Sequence, residues 1–320
     1  METSEETEQG WFRTAQRCVA LLIFGLTLAL WAHAEAATPQ YTFSIFELPF
    51  PNMTGFFLTG VDANVKSPHM VGWYTDIHSN GTLHGWRGTR SAGFTSVPRL
   101  AVTAINKSKW LAGYEIPPAS ARYQGFLYIG TEYIPISVPG CSDVTIQGIS
   151  DVTMQGTTAT AELVGDCLSE ADGLYHPLHW RDGVATIVDV QIPDGQGGFL
   201  SFPNEGCGYT GIAPGNGMLR VGSCEGVGFF DAQGLFIPVA RPDAYVLPKG
   251  VSNGSSVYGT LSPWDGSTGA GFIWKGIDLW QLVRVPGAVT TTIETMASER
   301  KFWGNAMDAN GGWHAFTATR

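Results

Sequence analysis

An all-β fold is what this chain predicts, and three observations carry it. Turn-forming residues are abundant, with 41 glycines and 18 prolines among 320 residues. Aromatic residues make up 12% and charged residues only 14%, a balance that disordered chains lack. A three-part motif also recurs six times, at spacings of 40, 52, 51, 43 and 44 residues. A period near 45 residues with four short strands per unit is that of a β-propeller blade. The fold class is therefore a six-bladed β-propeller over residues 37–320, closed by an N-terminal strand pairing with the last blade.

Residues 1–36 read as a targeting segment. Arg13 and Arg17 precede an apolar run from Val19 to Trp31, followed by small residues at Ala32, Ala34 and Ala36. That run is about 13 residues, where a spanning helix needs about 20. A cleaved signal peptide is favoured over a signal anchor, with no stable membrane span after cleavage. Removal takes away Cys18, five acidic and two basic residues, changing the formal charge from −10 to −7. An acidic chain repels polyanions, so nucleic acid is not an expected partner.

After the signal, Tyr41–Phe50 alternates aromatic and polar residues, as a strand with one buried face does. It supplies the fourth strand that the last unit lacks. The six blades are bounded at 54–100, 101–142, 143–192, 205–242, 244–288 and 289–320, the last with 41–50. Blade five shows the pattern plainly: turn pairs Asn253-Gly254, Asp265-Gly266 and Lys275-Gly276 separate its apolar runs. Each unit opens with a small-plus-apolar pair, Gly60-Val61, Ala104-Ile105, Gly148-Ile149, Gly211-Ile212, Gly250-Val251 and, more weakly, Thr295-Met296. An apolar-Gly pair follows at Gly72, Gly113, Gly165, Gly222, Gly259 and Gly304. The third signal ends in Trp86, Phe126, Leu178, Phe229, Phe272 and Phe316. Copy three is expanded between Thr157 and Asp172. Glu294–Lys301 has local helix propensity, but the register makes it the turn between two strands.

These units resemble the HAF-repeat family of extracellular proteins. Ala104-Ile105-Asn106, Val285-Pro286-Gly287-Ala288 and His314-Ala315-Phe316 match its Gly-Ile-Asn, Pro-Gly-Ala and His-Ala-Phe elements most closely. The resemblance spans about Thr54 to Phe316. It implies a propeller-like fold and says nothing of activity.

Propeller topology sorts the loops. Connections between blades share a rim with the turns joining second and third strands. Cys141 and Cys207 fall in the connections into blades three and four, and Cys167 and Cys224 in the middle loops of those blades. The expected bridges are Cys141–Cys167 and Cys207–Cys224, which suit an oxidising compartment and a secreted or secretory-lumen protein. Sequons at Asn52, Asn80, Asn106 and Asn253 fall in predicted loops and are candidate glycosylation sites.

Chemistry has two candidate locations. The disulfide rim carries Asp76, His78, Glu115, Arg122, Trp264 and Asp265, a set suited to holding a glycan or flat ring by stacking and hydrogen bonds. The residues ahead of the small-apolar pairs, Thr59, Thr103, Gln147, Thr210, Lys249 and Glu294, should ring the central channel. Lys249 and Glu294 are either a structural ion pair or an acid/base couple, with Arg122 as a further catalytic candidate. His176 and His179 fall on opposite strand faces and make no two-histidine metal site. His84 and His314 occupy a repeated position and read as hydrogen-bonders between strands. No catalytic signature, metal or cofactor is expected. The leading expectation is a monomeric secreted propeller that binds a small molecule or glycan on its disulfide-braced axial face. The alternative is a metal-independent cyclase, isomerase, lyase or hydrolase acting on a small hydrophobic metabolite in the axial pocket. A structural wall protein is the third.

Overall fold

The computed structural model describes residues 40–320 except 51–52, 63–66, 77–82, 99, 118–119, 121, 156–157, 216 and 277–278. The signal segment, Asn52, His78 and Asn80 therefore lie outside the described residues. Among the described residues there is no helix, and so none long and apolar enough to cross a membrane.

Six four-stranded antiparallel sheets follow one another along the chain. Blade one is β2 (Met53–Val61), β3 (Met70–Asp76), β4 (Leu83–Thr89) and β5 (Gly93–Pro98); blade two is β6 (Leu100–Ile105), β7 (Leu111–Glu115), β8 (Gln124–Ile129) and β9 (Glu132–Ile136). Blade three is β10 (Cys141–Ile149), β13 (Glu162–Ser169), β14 (Tyr175–Arg181) and β15 (Val184–Ile187). Blade four is β16 (Cys207–Ile212), β17 (Leu219–Cys224), β18 (Val227–Ala232) and β19 (Leu235–Val239). Blade five is β20 (Ala244–Val251), β21 (Val257–Pro263), β22 (Ala270–Trp274) and β23 (Trp280–Val283). Blade six is β24 (Thr290–Ser298), β25 (Lys301–Met307), β26 (Trp313–Thr319) and, from the other end of the chain, β1 (Thr42–Phe46).

The β1–β26 ladder runs from Thr42 opposite Thr319 to Phe46 opposite Ala315. This is the predicted closure, and it pairs the open edge that β26 would otherwise present. Two local expectations change. The expansion of blade three is a hairpin, β11 (Thr153–Gln155) and β12 (Thr158–Thr160), placed before the second strand rather than in the middle loop. Most of Glu294–Lys301 continues β24, leaving Glu299-Arg300 to turn; pairing with β25 overrides local helix preference.

The repeat signals acquire a physical reason. Each second-strand glycine stands directly opposite the large third-strand residue: Gly72 faces Trp86, Gly113 Phe126, Gly165 Leu178, Gly222 Phe229, Gly259 Phe272 and Gly304 Phe316. A Cβ on Gly304 would lie 1.8 Å from the Thr292 carbonyl oxygen and 2.9 Å from the Phe316 ring. At Gly72 the corresponding distances are 1.9 Å to Phe57 O and 2.7 Å to Trp86. Glycine is thus required for the close approach, and the large side chain fills the space above it. All six large partners are fully buried, each contributing roughly 2–3 kcal/mol of apolar burial.

Candidate functional site: an axial cavity ringed by six strand bulges

The innermost strand of every blade carries an irregularity at the same place. The ladders step over Thr59, Thr103, Gln147, Thr210, Lys249 and Glu294. A bulge leaves one residue unpaired and re-aims its side chain. These are the six ring residues read from the sequence, and the bulge explains why each directly precedes the small-apolar pair.

Three of the six use their hydroxyl to tie blades together. Thr59 Oγ1 donates to Val102 O at 2.7 Å, Thr103 Oγ1 to Ile146 O at 2.5 Å and Thr210 Oγ1 to Pro248 O at 2.6 Å. Each acceptor is the residue just before the next blade's bulge, so the bonds satisfy carbonyls along the sheet edges that face the axis. Between blades six and one the latch is different. Asn305 Oδ1 accepts from Leu58 N, and its Nδ2 donates to Leu58 O, both at 2.9 Å.

The remaining three positions carry longer polar side chains. A cavity of about 80 Å³ is lined by residues of all six blades, among them Thr59, Thr103, Gln147, Lys249 and Glu294. Lys249 is exposed to it and makes no hydrogen bond or ion pair among the described residues. Glu294 accepts through Oε1 from Thr292 Oγ1 at 2.7 Å and Asn305 Nδ2 at 3.3 Å. Its Oε2 accepts nothing among the described residues. The expected Lys249–Glu294 ion pair is not formed: the two charges line one cavity but stay further apart than 4 Å. The buried Tyr258 adds its ring to the lining; its pKa is pushed up by burial and, less strongly, by the Glu294 charge.

The cavity lies at the C-terminal ends of the innermost strands, where first-to-second-strand turns lace the blades. Lys107 pairs with Asp151 at 2.5 Å, Asp151 N donates to Pro214 O at 2.6 Å, and Gly215 N donates to Asn253 Oδ1 at 2.9 Å. Asn106 is 3% exposed, with Nδ2 donating to Ser150 O and Oδ1 accepting from Trp110 N. A glycan on that nitrogen is incompatible with this packing, so the Asn106 sequon is corrected to a structural asparagine. Asn253 is exposed.

Both disulfides sit at the other end. Cys141–Cys167 and Cys207–Cys224 are paired as expected, but all four cysteines lie in strands rather than loops, Cys141 and Cys207 as the first residues of β10 and β16. Six residues separate Cys141 from Gln147, about 20 Å along a strand. The cavity thus lies away from the disulfide-braced end on which the sequence had placed the ligand site, because the bulges fall past the middle of the innermost strand in five blades and at its centre in blade six. Asp76, Glu115, Arg122, Trp264 and Asp265 belong to the disulfide end and do not meet Lys249 and Glu294. There Arg122 pairs with Glu170 at 3.3 Å, both well exposed. Glu115 accepts from the Tyr133 hydroxyl. Asp265 accepts from Ser267 N at 2.9 Å; the Ser267 hydroxyl and amide together hold its carboxyl below the usual range.

For one residue of this rim, Asp166, the environment is not readable from the sequence. Burial pushes Asp166 up to about 6, against a hydrogen bond from Thr145 Oγ1 at 2.7 Å and with help from the Asp143 charge. Tyr114 is raised to about 12, by burial first and then by Tyr123 and Asp166. Nothing local in the sequence marks the burial of Asp166, which comes from the packing of blade three against Gly208 of blade four.

Three histidines contact carboxylates and one stacks on a ring. His176 contacts Asp172 and His179 contacts Glu162, each at 2.9 Å. His314 contacts Asp308 of its own hairpin at 3.1 Å, while His84 stacks on Tyr74 and its buried Nε2 makes no hydrogen bond among the described residues, so the expected bond between strands is not made there. Among the described residues no group of three potential ligands could hold a metal ion.

No protein-family model matches the chain, and no curated protein matches it. Among solved structures it is similar to the β-propeller domain of the Trilobed protease from Pyrococcus furiosus, at TM-score 0.45 and 8% identity, covering 83% of this chain and 94% of that one. It is also similar to Pyrococcus horikoshii acylaminoacyl peptidase, at TM-score 0.43 and 8% identity; there it covers 82% of this chain but spans only 51% of the peptidase.

Proposed function

We propose that this propeller is a secreted binding protein that takes a small, charged-and-polar molecule into its axial cavity. The carrying observation is that Lys249 and Glu294 face one cavity without pairing, beside the Gln147 amide. Two separated opposite charges are complementary to a molecule that carries a carboxylate and an ammonium of its own, each desolvated against a partner. The volume of about 80 Å³ is well below the several hundred Å³ of a drug-sized site, which restricts the occupant to amino-acid size. A polar ring also disfavours the small hydrophobic metabolite considered from the sequence. Two disulfides and the resemblance of the repeats to extracellular HAF units support export.

A second reading is favoured by the unengaged Glu294 Oε2. With a bound substrate it can act as general base while Lys249 stabilises developing negative charge, making the cavity a metal-independent active site. Thermal-shift and calorimetric titration with small zwitterions, monocarboxylates and amines test both readings. Stabilisation by zwitterions that is lost in Lys249→Met and Glu294→Gln supports binding; at 100-fold excess over Kd it amounts to about 2.7 kcal/mol. Turnover lost in Glu294→Gln while the thermal shift persists selects the enzyme. No stabilisation by any of the three classes rejects both.

A further inference from the structure

The mouth opposite the cavity carries a different chemistry, and we infer that it binds a neutral oligosaccharide. Aromatic rings stand there in three sectors. In blade five, Trp264 and Tyr245 are 61% and 51% exposed, their rings 6.0 Å apart edge to face. Where blade six meets blade one, the half-buried Trp73 and Trp313 flank Phe57 at 4.5 and 5.0 Å. On blade two, Tyr114 and the exposed Tyr123 pack edge to face at 5.1 Å.

These rings are held rather than loose. The Tyr245 ring covers Gly226, where a Cβ would come within 2.1 Å of it. Trp264 N donates to Asp243 O at 3.2 Å. The loop beyond it is pinned by Gly269 N to Val289 O at 3.1 Å and by Arg284 Nη1 to Thr268 O at 2.7 Å. A rigid aromatic face loses little entropy when a ligand settles on it.

Between the rings lie carboxylates instead of more apolar surface. Asp243 and Asp265 flank the Trp264 sector, and Asp143 and Asp166 lie near the tyrosines. A sugar ring offers polarised C–H groups to an aromatic face, whose quadrupole is negative, and hydroxyls to carboxylate acceptors. Asp243 is paired with Arg241 at 2.8 Å and Asp166 is already buried, but Asp143 and Asp265 have no cationic partner among the described residues, and a lipid or an apolar protein surface would desolvate them unpaired. Arg241 and Arg122 are each paired with a carboxylate at this end, so Asp143 and Asp265 leave it net negative and disfavour uronate, sulfate and phosphate groups. Three separated sectors fit several linked sugar units better than one. This inference does not depend on the axial cavity being a ligand site.

The test is affinity electrophoresis and calorimetry of the full chain against neutral, amino-sugar and anionic polysaccharides, with far-ultraviolet circular dichroism to confirm folding. Neutral chains should retard the protein. Trp264→Ala should weaken binding about tenfold, Trp264→Phe should restore most of it, and Leu235→Ala, at an exposed position on the outer strand of blade four, should leave it unchanged. No retardation by any neutral chain, preference for anionic chains, or equal binding by Trp264→Ala overturns the proposal.

Discussion

The amide of Asn305, on the second strand of the last blade, holds both backbone groups of Leu58 on the innermost strand of the first, at 2.9 Å each. The two residues are 247 apart in sequence and both are buried. This bond closes the ring at its inner edge, as β1 closes it nearer the outside.

Asn305→Ala should therefore be far more costly than a typical polar truncation. It leaves a buried N–H and a buried C=O unsatisfied, at about 2–4 kcal/mol together. Asn305→Asp keeps the acceptor but turns a buried carboxylate oxygen toward Leu58 O and Glu294 Oε1, and should cost at least as much as Ala. Denaturant unfolding measures both; an Ala variant within 0.5 kcal/mol (roughly the spread of neutral surface changes) would remove the latch from consideration.

Glycine position predicts two unequal outcomes. Gly304→Ala drives a Cβ into the Thr292 carbonyl and the Phe316 ring, and should cost about 3 kcal/mol or more, or abolish soluble expression. Gly130→Ala sits in a turn at φ 62° with nothing within 4 Å, so only backbone strain remains, about 1 kcal/mol. Equal effects at the two sites would refute the packing account.

Asp166 should make stability fall as pH rises. Its folded pKa of about 6 lies above the ordinary value of 3.8, so between those values the folded chain keeps a proton that the unfolded chain has lost. The contribution is complete below about pH 4 and lost as pH passes 6. Asp166→Asn keeps an acceptor for Thr145 and removes the charge. Its stability relative to the unaltered protein should improve between pH 4 and 7.5 by on the order of 2–3 kcal/mol. An offset that does not change with pH would contradict this.

Reduction of the disulfides should lower the unfolding midpoint markedly. The bridged residues are 26 and 17 apart, which corresponds to about 3 kcal/mol for each by loop-closure entropy. Separate double-alanine variants of the two pairs should each show part of the loss seen with dithiothreitol. A reduced protein as stable as the oxidised one would show that the blades alone fix those loops.

Blade count, closure, disulfide pairing and the membership of the axial ring were all legible in the sequence, because each is a consequence of repetition. A glycine that must face Trp86 in one blade must face Phe316 in another, so the pattern survives even where local propensity, as at Glu294–Ser298, points elsewhere. What could not be read were relations between repeats. The Asn305–Leu58 latch and the burial of Asp166 and Asn106 come from blade-to-blade packing. The end at which the cavity lies depends on where along each innermost strand the bulge falls. Lys249 and Glu294 were correctly assigned to neighbouring blades, yet their failure to pair follows from side-chain paths that residue order does not encode.

A bulged residue is skipped by the hydrogen-bond ladder, so its identity is nearly decoupled from strand registration. The three skipped positions whose side chains do not tie one blade to the next amount to a palette that mutation can repaint while the scaffold beneath stays intact. Gln147, Lys249 and Glu294 are three colours already applied; exchanging them together is the direct route to a propeller with a different appetite.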